Sequence, residues 1–197
     1  MRKLRWLALI VGLVALGGCA GATTKGRIAL EEGQYERAAR LFEEAVKDHP
    51  DKVEPLIGLG IARYKLGALD QAIDALSRAV TRAPTSQAAR LYLALAYLMK
   101  GDEAAAQEHL AAYVALNPDP SVGRQASRAL ELLKTERPSP SMRTFIAAAL
   151  DNAVELTQQV RRAREQALAY YPYPYTSPWV LGVGPCFATR HGAVFCY

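Results

Sequence analysis

Histidine is scarce in this 197-residue chain, and its three copies, His49, His109 and His191, stand far apart. None has a second histidine four residues away, so there is no two-histidine helical metal pair. None stands beside a nucleophile in a matching motif. The adjacent carboxylates Glu31-Glu32 and Glu43-Glu44 point to different sides of their helices and read as solvated faces, not acid/base pairs. A glycine-rich phosphate cradle is missing, as is a basic stripe interleaved with aromatics, the footprint of a nucleic-acid binder. No catalytic residue, metal or cofactor is therefore expected, and nucleic acid is not an expected partner. Cysteine is equally rare: Cys19, Cys186 and Cys196.

The apolar run Trp6 to Leu16 is about a dozen residues, short of the ~20 that span a bilayer. Arg2, Lys3 and Arg5 precede it, so residues 1–18 read as a processing signal and not as part of the fold. The run ends in Leu16-Gly17-Gly18-Cys19, which resembles the bacterial lipoprotein cleavage box. The resemblance implies that the Cys19 thiol is acylated with diacylglycerol, that the chain is cut before it, and that the new amino terminus is acylated, palmitate being the usual chain. Ala20 in place of aspartate implies transfer to the outer membrane, facing the periplasm. An ordinary secretory signal with a chance cysteine is the alternative. Setting aside the three leader cations, 21 basic residues oppose 19 acidic ones, an ordinary balance. In an exported chain, the two remaining cysteines, Cys186 and Cys196, read as one disulfide closing a short hairpin around Gly192. A metal site is the sharper alternative, but two cysteines and one nearby histidine are too few ligands.

What is present is a period. Gly33, Gly67 and Gly101 stand 34 residues apart. Alanine follows five residues later (Ala38, Ala72, Ala106), a large apolar residue after nine (Phe42, Leu76, Leu110) and proline after seventeen (Pro50, Pro84, Pro118). A fixed period of this length signals stacked copies of one supersecondary unit. Each glycine closes a first helix with a left-handed turn. The alanine lets a second helix approach closely, the apolar residue on the same face fills the gap, and the proline ends that helix. These columns, with Gly26, Gly60 and Ala94 at the small position of the first helix, resemble the tetratricopeptide repeat, although the family's early tryptophan is missing from every copy. The resemblance implies an all-α fold of three stacked helix hairpins, about 19–52, 53–86 and 87–120, forming a right-handed solenoid with a concave, partner-binding groove.

Beyond Pro118, residues 121–135 read as a capping helix, giving a repeat domain over 19–136. Residues 137–169 read as a linker and a long amphipathic helix. Its apolar stripe runs through Met142, Phe145, Ile146, Ala149, Leu150, Ala153, Val154, Leu156, Val160, Ala163 and Ala167, opposite a polar face of Asp151, Glu155, Gln158, Arg162 and Glu165. Ser139 ahead of Pro140 is its start signal. Residues 170–197 form a Tyr/Pro-rich tail with the disulfide-closed hairpin.

The family resemblance places Ile57, Ile61, Tyr64 and Lys65 of the second copy, and Leu91, Leu95, Leu98 and Met99 of the third, in the groove. That lining is apolar and suits an amphipathic helix. The occupant is expected to be either a protein partner or the chain's own 141–169 helix. The expected function is that of a lipid-anchored adaptor or assembly factor of secretin, pilus, outer-membrane or cell-wall machinery. A structural lipoprotein with a self-filled groove and, more remotely, a cell-wall-associated enzyme are the rival readings.

Overall fold

The computed structural model describes residues 21–116, 118–135, 137–170, 186–188 and 194–196. Among them are eight helices, α1 (Ala22–Glu31), α2 (Tyr35–Asp48), α3 (Val53–Lys65), α4 (Leu69–Arg82), α5 (Gln87–Lys100), α6 (Glu103–Ala115), α7 (Pro120–Thr135) and α8 (Pro140–Tyr170), followed by two strands, β1 (Cys186–Ala188) and β2 (Val194–Cys196). The chain divides into two units, Met1–Val154 and Glu155–Tyr197, and α8 runs through the boundary.

Gly33, Gly67 and Gly101 have φ of 73°, 73° and 89°, the left-handed conformation in which glycine carries no β-carbon penalty. Each sits in the turn of a hairpin: α1 packs on α2, α3 on α4 and α5 on α6. Successive hairpins stack as α2 meets α3, α4 meets α5 and α6 meets α7. The first helices also pack side by side, α1 on α3 and α3 on α5, and that row is the one to which the family resemblance assigns the groove wall. The recurring columns are buried as the spacing predicts: Ala38, Ala72 and Ala106 are at most 1% exposed, and Phe42, Leu76 and Leu110 at most 2%. A solenoid of helix hairpins follows from local rules repeated, not from a single long-range core.

The last two helices depart from the sequence expectations in part. In α7, Val122, Ala126, Ala129, Leu130 and Leu133 are buried against the array, whereas Leu132 is about half exposed. The α8 start is as read: the Ser139 hydroxyl accepts from the Met142 amide at 3.3 Å, with Pro140 as the first helical residue. Its apolar stripe is not one face, however. Ile146, Ala147, Leu150 and Ala153 are buried, while Met142, Phe145, Leu156 and Val160 are exposed. Successive helical residues are ~100° apart, so a pattern containing both Phe145 and Ile146 is too wide for one neighbour to cover. In the second unit, β1 and β2 pair antiparallel with Cys186 opposite Cys196. The strand side chains lie outside the described residues, as do Cys19 and residues 1–20, so the disulfide and the lipid anchor rest on sequence.

Candidate partner-binding groove

The residues expected to line the groove lie on α3 and α5. Ile57, Ile61, Tyr64 and Lys65 on α3 and Met99 on α5 are partly exposed, while Leu91, Leu95 and Leu98 of α5 are at most 2% exposed. All the apolar members of that set belong to one hydrophobic cluster that also contains Ile146, Ala147, Leu150 and Ala153 of α8. The structure thus brings the sequence-predicted groove residues together. It also shows that the α5 leucines are core residues.

The polar centre of this region was not anticipated. Asp151, which the helical pattern placed on a solvated face, is instead the meeting point of two first helices. Lys65 Nζ of α3 donates to Asp151 Oδ2 at 2.6 Å, with each side chain only 13% exposed. The Tyr92 hydroxyl of α5 donates to Asp151 Oδ1 at 3.0 Å. The Tyr64 and Tyr92 rings meet edge to face at 5.6 Å, a favoured aromatic geometry. The Lys65 ammonium also lies 5.8 Å from the centre of the Tyr35 ring of α2. Burial, together with the negative charge of Asp151 and against the pull of Lys65, pushes the Tyr64 phenol up to about 12, so it stays protonated. Both oxygens of one carboxylate are therefore read by two donors from neighbouring repeats. A sequence signal existed: Asp151 directly follows Leu150 and is flanked by Ala147 and Val154 at helical spacing, which puts it at the rim of the buried face.

A second polar contact holds the start of α8. Arg143 Nη1 lies 3.4 Å from Glu103 Oε1 at the head of α6, with both side chains less than a quarter exposed. Arg143 and Asp151 are eight residues apart, about 12 Å along a helix. The segment 140–154 thus has one anchor at the third repeat and one between the second and third.

His109 is partly buried, its ring stacked on Tyr97 at 5.6 Å and its Nδ1 3.1 Å from Arg90 Nη1. His49 is exposed. Among the described residues, no group of three or more His, Cys, Asp or Glu side chains is placed to hold a metal ion. No helix among them is long and apolar enough to cross a membrane.

Two tetratricopeptide-repeat family models match the chain, over residues 23–87 and 63–133. Among curated proteins, cilia- and flagella-associated protein 70 of Macaca fascicularis is 40% identical over 83 residues, 42% of this chain and 8% of that protein. The human counterpart has the same identity over the same share of this chain and 7% of its own length. The chain therefore spans under a tenth of these relatives. Among solved structures, the Yersinia enterocolitica type III secretion translocator chaperone SycD superposes with a TM-score of 0.55 at 21% identity, over 62% of this chain and 90% of that one. The second tetratricopeptide domain of human RPAP3, solved with an HSP70 peptide, gives 0.53 at 18% identity, over 59% and 94%. At these identities the likeness is one of fold.

Proposed function

We propose, from the premise that this chain belongs to the tetratricopeptide-repeat family, that it is a non-enzymatic adaptor whose groove takes a helix of a protein partner. In its resting state the groove is occupied by its own segment 140–154. The observation that carries this reading is the convergence of Lys65 and Tyr92, from two adjacent repeats, on Asp151 of α8. A groove wall that already holds an amphipathic helix is chemically fitted to hold another. Solved relatives in fold support it: SycD has been solved with a peptide of the translocator YopD, and the RPAP3 domain with an HSP70 peptide.

The adaptor works from the bacterial cell envelope, anchored in the outer membrane through lipid on Cys19. Support here is the leader and the Leu16-Gly17-Gly18-Cys19 box. Anchoring raises the local concentration of membrane-bound partners without any added contact. Cys186 and Cys196, opposite each other on paired strands, form a disulfide in that oxidising compartment.

The test is a photo-crosslinking residue at Ile61, which is partly exposed in the groove, in living cells. Capture of an envelope protein through a helical segment supports the adaptor reading and names the partner. Capture of residues 140–154 alone, in every growth condition, leaves a structural lipoprotein with a permanently filled groove. In parallel, Cys19→Ser abolishes metabolic labelling with an alkyne fatty acid if the anchor is real.

A further inference from the structure

The contact that fixes segment 140–154 in the groove also specifies what else could lie there. We infer, resting on the adaptor reading above, that the groove selects partner helices by an acidic side chain placed directly after an aliphatic one, read by Lys65 and Tyr92. In the resident segment the acid is Asp151 and the aliphatic residue Leu150. Ile146 and Ala147, five and four residues before the acid, and Ala153, two after it, complete the buried face.

The selectivity works by exclusion as much as by attraction. Lys65 and Asp151 are each only 13% exposed, so whatever fills the groove takes the ammonium out of water. A partner carboxylate at that point satisfies both donors at once, as Asp151 does through Oδ2 and Oδ1. A neutral side chain in the same place forfeits the charge-assisted bond, and a basic one sets two cations against each other in a shielded site. Because the pair is shielded from solvent, salt screens it weakly. Glu103, which faces Arg143, adds direction. A basic residue two turns before the acid sets the amino-terminal end of the incoming helix at the third repeat.

The experiment uses the full mature chain and a fluorescein-labelled synthetic peptide with the sequence of residues 140–154. A chain carrying Asp151→Lys loses its resident anchor because two ammonium groups then face each other. It should bind the native peptide about tenfold or more tightly than the same peptide carrying Asp151→Asn or Asp151→Lys, the worth of a charge-assisted bond. A chain carrying Lys65→Asp also repels its own Asp151 and should reverse the order, preferring the Asp151→Lys peptide. This second chain keeps the test decisive if the first folds poorly. Equal binding of all three peptides, or an unreversed order on Lys65→Asp, overturns the acidic rule and leaves the adaptor reading standing. Failure of every peptide to bind either folded chain overturns the adaptor reading itself, and the rule with it.

Discussion

Gly60 packs bare backbone against Leu76, and a β-carbon added there would overlap the leucine's γ and δ carbons. Gly60→Ala should therefore lower stability by about 1–3 kcal/mol, as overpacking does. Combined with Leu76→Ala, it should cost less than the two single changes together, because the clash disappears with the side chain. Urea unfolding of the three variants checks this, and strict additivity would place the role of Gly60 elsewhere. His109 makes a different kind of statement. Burial first, and then the Arg90 guanidinium, hold its pKa below the ordinary 6.5, against the opposite pull of Glu108. The unfolded chain therefore takes up this proton more readily than the folded one. The His109 contribution is whole above pH 6.5 and is lost as pH falls through 6.5 toward the lower folded value. Melting curves from pH 7.5 to 5 should show a decline that His109→Gln flattens. At this scale the sequence was legible where a column repeats, as at Gly60. It was silent where a contact is made once: nothing in the residues around His109 announced Arg90, nineteen positions away, and Gly58 against the Phe42 ring belongs to no column.

In α8 the question is which of two apolar faces the fold uses. Phe145 is 69% exposed and Leu150 only 1%, although both belong to the same three-and-four spacing. Leu150→Ala should weaken the seating of its segment by up to about 2–5 kcal/mol, the range for a buried leucine, read as faster amide exchange over residues 143–153, while Phe145→Ala should change it by no more than about 0.5 kcal/mol. Comparable losses from both would show that Phe145 has a covering surface under the assay conditions. Element existence was easy to read here. Ser139 with Pro140 marked the start, and the hairpin helices were bounded by their glycines and prolines. The buried face was not, because periodicity gives the width of an apolar stripe, and only the neighbouring helices decide which part of it is covered. The same ambiguity hid Asp151. A polar residue at the rim of a wide stripe reads as solvated until a lysine and a tyrosine are found opposite it.

For the first unit as a whole, the question is how far the array depends on its resident helix. The hairpins pack in series from α1 to α7, and their recurring columns are buried. That is the property that makes a repeat array tolerant of losing one attached element. Segment 140–154, by contrast, is held by one modest apolar face and two charged contacts. Its opening should be a separate, lower-energy event than unfolding of α3 to α6. Amide exchange of the full chain should then show residues 143–153 less protected than the buried turns of α4 and α5. Asp151→Asn, which removes the charge on which Lys65 and Tyr92 converge, should accelerate exchange in that segment and leave α3 to α6 within error of the native chain. Uniform acceleration across both regions would mean that the segment and the repeats open only together. In that case no partner helix could replace the resident one without unfolding the protein that is meant to hold it.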